Sequence, residues 1–240
     1  MSATTTAETV LRARGIAHSY GRLEALAGLT LDVRPGECVA LIGANGSGKS
    51  TAVRIIAGML APTSGTVEIA GADPHVEPDG EQARAALALV PDNPLLYDDL
   101  TIAEHLELVG LAHGVPDDEL VVRIPELLDR LGLEPRRDFL PRELSRGMRQ
   151  KTALACALVR PAKLLVLDEP VVGLDPPSQQ LLVELLQEAK EAGVAVLFTT
   201  HQLAFADGLA DRAVVLQEGV VLDTGAWAKV RQRARERGWQ

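Results

Sequence analysis

The 240-residue sequence has few cysteines, no long apolar run, no internal repeat, no low-complexity segment and no excess of basic residues. Its two cysteines, Cys38 in GECVALIG and Cys156 in ALACALV, sit far apart inside apolar periodic segments. That placement reads as two small core residues in a reducing compartment and speaks against a disulfide framework or a metal cluster. No apolar stretch approaches the roughly 18–20 residues that a bilayer-spanning helix needs. The opening MSATTTAETVLRARG lacks the charged-then-apolar pattern of a signal peptide, so a cytoplasmic, soluble chain is expected. With Lys+Arg 24 against Asp+Glu 33 and a net charge of -9, a general nucleic-acid surface is disfavoured, because such a surface would be basic. A local anion site is not disfavoured.

What is present is apolar material for a sizeable core, 47% of residues, in a chain of the length of one large domain. Runs rich in Val, Ile and Leu alternate with helical patterns, which predicts an α/β protein with a mostly parallel sheet. The strand segments are 37–43, 66–71, 86–90, 162–168, 194–200, 212–217 and 220–223, with Glu218-Gly219 as a tight hairpin turn between the last two. A turn at Pro35-Gly36 inside TLDVRPGECVAL points to antiparallel strands in the amino-terminal part. Thr101-Ile102-Ala103-Glu104 fits a capping box, Pro176-Pro177 fits a helix start, and Gly193 fits that helix's end. From about 95 to 160 the strand signal vanishes and helices follow one another, which reads as a helical lobe inserted into a single domain spanning 1–240. The basic tail KVRQRARERG reads as a solvated terminal helix.

Chemistry enters at Gly43-Ala44-Asn45-Gly46-Ser47-Gly48-Lys49-Ser50, a full match to G-x-x-x-x-G-K-[ST] between the strand CVALI and the helix TAVRIIAGML. Glycines let backbone amides curl around a β-phosphate, Lys49 reaches the β- and γ-phosphates, and the Ser50 hydroxyl ligates Mg²⁺. A nucleoside triphosphate is the expected ligand. The strand LLVLD ends in Asp168-Glu169; a carboxylate closing a buried strand is costly unless it meets a cation, so Asp168 is expected in the metal's shell. Glu169, one residue on, is placed to orient or deprotonate the attacking water. His201 ends the strand VAVLFTT, at the sheet edge where ligands collect, and is expected to touch the γ-phosphate.

The stretch ELSRGMRQK (143–151) raises a question of charge. Ser145 is a good N-cap for the apolar helix that follows. Arg146, Arg149 and Lys151 nonetheless crowd the first two turns, where the helix dipole disfavours cations. No acid follows within the turn, so the anionic partner must come from elsewhere in the fold or from outside it.

Taken together these motifs resemble the ATP-binding subunit of an ABC transporter over essentially the whole chain, with a P-loop NTPase core. LSRGM (144–148) resembles the family's signature motif, LLVLDE (164–169) its Walker B strand, GLD (173–175) its D-loop and TTH (199–201) its switch histidine. Tyr20 matches the aromatic that stacks on adenine, and Asn45 and Thr51 complete the phosphate-binding set. The resemblance implies that two such domains close head to tail around ATP. Ser145 and Gly147 of one would then grip the γ-phosphate held by the other, with Asp175 across the same interface, so that the anion awaited at 143–151 is a partner's nucleotide. It also implies ATP and Mg²⁺ as cofactors, an identical or related second ATPase subunit, and a separate transmembrane permease that holds the chain at the inner face of the membrane.

Two departures stand out. Arg146 occupies the position after the signature's serine, usually a glycine, while Ser145 and the second glycine, Gly147, are kept; this variant resembles drug- and polysaccharide-exporter ATPases, which leans toward export. Asp92 falls where a glutamine normally touches Mg²⁺ and the attacking water, and a shorter, charged residue there either ligates Mg²⁺ through water or weakens hydrolysis. An importer ATPase, a soluble ABC ATPase of repair or translation, and a module that binds without turnover are the rival readings.

Overall fold

Segments that run apolar on both faces become the buried strands of a central sheet. The computed structural model describes residues 9–236; the first eight residues, read above for a leader pattern, and the last four, including the end of the basic tail, lie outside it. The six-stranded sheet has the order β5 (Leu87–Val90), β6 (Leu164–Leu167), β7 (Ala195–Thr200), β3 (Cys38–Ile42), β8 (Arg212–Gln217), β9 (Val220–Ala226). Its neighbours are parallel except β8 and β9, an antiparallel hairpin turned by Glu218 and Gly219, both at positive φ.

Strand period decides which core each side chain enters. In β3, Cys38, Ala40 and Ile42 face one apolar cluster while Val39 and Leu41 face the other. The first cluster joins the sheet to α3 (Ile102–Ala112), α4 (Asp117–Arg130), α5 (Arg146–Leu158) and α6 (Pro176–Glu191). The second joins its other face to α1 (Lys49–Ile56) and to a three-stranded antiparallel sheet, order β2 (Leu23–Val33), β1 (Leu11–Tyr20), β4 (Ser64–Ile69). The sheet is thus a middle layer buried on both faces, as a parallel sheet must be.

Some expectations need adjustment. The segment read at 66–71 belongs to the antiparallel sheet, where β4 pairs with β1, and not to the parallel one. Pro35-Gly36 is a turn, with Gly36 at φ 67, but it carries the chain from β2 in one sheet into β3 in the other and so makes no hairpin. Helices α2 (Asp79–Ala86) and α7 (Leu203–Asp207) were not expected.

The helix signals at 101, 176 and 193 have the roles read for them. Thr101 and Glu104 cap each other's backbone reciprocally, α6 carries proline in its first turn, and Gly193 at φ 87 follows its end. The basic tail forms α8 (Trp227–Glu236), whose Trp227, Val230 and Ala234 are buried while Arg231 and Arg233 pair with Asp207 and Asp223 and Arg235 is exposed. Both cysteines are free, Cys38 buried and Cys156 packed against the first core. Among the described residues no helix is long and apolar enough to cross a membrane.

Candidate active site

Between the end of β3 and the start of α1 the backbone turns through Gly46 and Gly48, at φ 81 and 102. A Cβ on Gly48 would stand 2.5 Å from the Ala25 carbonyl oxygen, so a glycine is required there. Gly48 is the N-cap of α1, no side chain caps that helix, and no acid lies in its first turn. The positive end of the helix dipole and its first amides therefore face outward, the arrangement that binds phosphate. The loop is braced from behind: the Gly219 amide donates to the Ser47 carbonyl (3.0 Å), and the Ala27 amide donates to the Gly219 carbonyl (2.9 Å).

Lys49 is 5% exposed, and its ammonium donates to the carbonyls of Gly43 (2.7 Å) and Ala44 (3.2 Å). It also stands 3.1 Å from Oε1 of Glu169, a side chain only 12% exposed. The other carboxylate oxygen of Glu169 lies 2.9 Å from Nδ1 of His201, which therefore carries its proton on that nitrogen when it donates. Glu169 itself sits at φ 48, a left-handed conformation that costs a non-glycine residue about 1–3 kcal/mol. Thr199, fully buried at the end of β7, secures it. The Glu169 amide donates to Thr199 Oγ1 (2.8 Å), and that hydroxyl donates to Asp168 Oδ1 (2.5 Å).

One cleft of about 620 Å³ gathers Tyr20, Asn45, Gly46, Gly48, Lys49, Ser50, Thr51, Asp92 and Glu169. Gly43 and Ser47 are buried in the loop behind it, while Asp168 and His201 adjoin it through Thr199 and Glu169. The cleft takes further walls from Glu24 and Ala25 of β2 and from Glu218 and Gly219 of the β8–β9 turn. These, and Thr199, went unassigned in the sequence. The turn was legible there only as a turn, and Thr199 only as part of TTH.

Ser145, Gly147 and Asp175 do not line this cleft. Ser145 caps α5, accepting from the Met148 amide at 3.2 Å. A Cβ on Gly147 would lie 2.8 Å from the Gly173 carbonyl oxygen, so the start of α5 packs directly on the loop before α6. Asp175 caps α6 by accepting from the Ser178 amide (3.1 Å), and the hydrogen bonds to Ser178, with Lys151 adding attraction, hold its carboxyl below the usual range. For Arg146 the anion sought at the start of α5 lies within the chain: its Nη2 is 3.2 Å from Oδ1 of Asp92. Arg149 turns its Nε to the Pro141 carbonyl (3.0 Å).

Among the described residues no group of three His, Cys, Asp or Glu could hold a metal by itself. Asp168 still fits a Mg²⁺ shell, because Mg²⁺ keeps several waters and is held by one or two protein oxygens together with substrate phosphates. Ser50, exposed at the start of α1, carries the second oxygen expected for that shell.

A family model described as ABC transporter matches residues 26–172. The chain is 35% identical to the ABC-type transporter ATP-binding protein EcsA of Bacillus subtilis, over 94% of this chain and 90% of that one. It is 36% identical to the Nod factor export ATP-binding protein I of Cupriavidus metallidurans, over 88% of this chain and 69% of that one. A solved ATP-binding subunit of an ABC transporter superposes with a TM-score of 0.88 at 37% identity, covering 96% of this chain and 95% of the other.

Proposed function

The chain belongs to the ABC transporter family as an ATP-binding, ATP-hydrolysing subunit, and from that premise we propose that it hydrolyses Mg²⁺-ATP in a site completed by a second ATPase subunit, and that this drives export through a separate membrane permease. The observation that carries the two-subunit site is the division of labour on the surface. The P-loop, Glu169 and Tyr20 share one cleft, whereas Ser145, Gly147 and Asp175 stand outside it at the starts of α5 and α6. A helix start with a serine cap and no acid in its first turn suits a γ-phosphate brought by another chain.

Within one site, Lys49 and the α1 amides bind and orient the triphosphate, and Tyr20 offers a face to the base. Ser50 and Asp168 would hold Mg²⁺, which when bound supplies charge neutralisation at the phosphates. Glu169 accepts the proton of the attacking water and His201 steadies its carboxylate. Thr199 keeps both acids in register.

The permease reading rests on a second surface. Leu95 and Tyr97, 87% and 66% exposed, border a groove of about 420 Å³ lined also by Met59, Leu89, Val109 and Cys156. So much exposed apolar side chain beside the Asp92 loop suits an apolar segment of a partner. Export follows the likeness to the Nod factor export protein and the Ser-Arg-Gly signature.

The deciding experiment follows ATP hydrolysis against protein concentration, with Glu169→Gln beside the parent and size measured in ATP. A rate rising faster than linearly, and an ATP-dependent dimer trapped by Glu169→Gln, are the expected results. A Glu169→Gln chain that stays monomeric with saturating ATP overturns the composite site.

A further inference from the structure

Two residues that look out of place singly are bonded to each other. Asp92 is an acid in the wall of a phosphate cleft, and Arg146 is a cation at the first position of a helix. Their side chains are 39% and 55% exposed, and the guanidinium reaches the carboxylate at 3.2 Å across 54 residues of chain.

The charge balance of the cleft gives the contact its meaning. Its walls include four acids, Glu24, Asp92, Glu169 and Glu218, and one base, Lys49. Glu169 already has Lys49 and His201. Among the described residues Asp92 has Arg146 and, beyond it, a long contact from the Asn93 amide at 3.5 Å. A triphosphate entering this cleft meets net negative charge, so each neutralised wall acid favours its binding. Arg146 gains as well, because its position at a helix start is unfavourable until an anion faces it. Its stem is fixed independently: Cγ and Cδ lie over Gly173, where an added Cβ would stand 3.4 and 3.3 Å from them.

We infer that Arg146 is a positioning residue for nucleotide binding: from the start of α5 it neutralises and holds the Asp92 carboxylate within the same chain, which is what lets this cleft hold ATP with an aspartate in its wall. The inference rests on the nucleotide reading of the cleft and adds a role in the resident chain to a helix start otherwise expected to serve a neighbour.

The test measures the Mg²⁺-ATP dissociation constant of the full chain by calorimetry in a mutant cycle. Arg146→Met keeps the stem over Gly173 and removes the charge; Arg146→Lys keeps a charge; Asp92→Asn removes the charge that needs neutralising. Arg146→Met should raise the dissociation constant about two- to fivefold, the range of an exposed ion pair. Arg146→Lys should restore most of it, and the cost of Arg146→Met should vanish in the Asp92→Asn background. It should also shrink at about 1 M salt, where the Debye length is about 3 Å. An Arg146→Met cost that persists in Asp92→Asn, as expected if Arg146 serves only a partner's nucleotide, overturns the inference, as does no cost at all. Lys49→Ala separates the two levels: normal ATP binding by that variant removes the cleft reading itself, whereas lost binding with an additive cycle removes only the role of Arg146.

Discussion

Lys49 and Glu169 hold each other at 3.1 Å in the wall of the cleft, one ammonium against one carboxylate oxygen. A γ-phosphate that takes Lys49 would leave Glu169 with His201 as its side-chain neighbour, freeing one carboxylate oxygen to face the attacking water. The contact thus ties the freedom of Glu169 Oε1 to occupation of the loop. Glu169→Gln should lower hydrolysis by about 10²–10⁴-fold, the usual worth of a positioned general base, while ATP binding is retained. Phosphate release and nucleotide titration on the same preparation check both halves, and parallel losses in the two would place Glu169 in binding instead.

Thr199→Val removes the hydroxyl that joins Glu169 to Asp168 without changing the side chain's shape. Leaving the Glu169 amide and an Asp168 oxygen without that partner should cost about 1–3 kcal/mol in urea unfolding. Hydrolysis should fall with it, because the left-handed turn at Glu169 loses its anchor. A variant that unfolds earlier yet turns over at the parent rate would mark Thr199 as structural only.

Tyr20 is 45% exposed at the end of β1, its ring T-shaped to that of His18 at 4.6 Å. The residue lines the cleft, and if its ring stacks on the base Tyr20→Ala should weaken ATP binding by about 1–3 kcal/mol, taking base–aromatic stacking as the scale. Tyr20→Phe should bind as the parent does. If inorganic triphosphate loses as much affinity as ATP in Tyr20→Ala, the ring serves the loop and not the base.

Burial pushes the Cys156 thiol from 9.0 up to about 12, and burial pushes Cys38 up as well. The sign follows from which state ionises first. The unfolded chain releases the proton near 9.0 and the folded chain holds it to about 12, so stability present below the first value is lost across that window. Urea unfolding at about pH 8 and about pH 10.5 should show the loss, and Cys156→Ala should show a smaller one. Equal slopes in the two chains would refute the assignment to Cys156.

The P-loop, the two acids at the end of β6 and the capping signals at 101 and 176 were legible because each is a local pattern with one physical cause. Strands β1 and β2 were harder to delimit. Their register shifts near Gly15 and Gly28, both at positive φ, break the alternation that a strand shows in sequence. Helix α2 is short and polar, with two buried residues, so no apolar stripe announced it. In the site, each oddity at Asp92 and Arg146 could be seen, but not that the two meet. A contact between residues so far apart in the chain has no local trace, and the charge anomaly at the start of α5 fixed only that some anion was required. The walls from β2 and the β8–β9 turn were hidden for the same reason, since sheet order and not chain order brings them to the loop.

That sheet order also sets a timetable. Strand β3, which launches the P-loop, lies between β7 and β8, so every hydrogen-bonded neighbour it has in the sheet is made long after it. Until then a fully apolar strand with two open edges must wait, the condition under which chains aggregate or recruit holdase chaperones. ATP cannot shorten the wait, because Glu169 and the Glu218-Gly219 turn, which wall its cleft, are likewise made long after the P-loop.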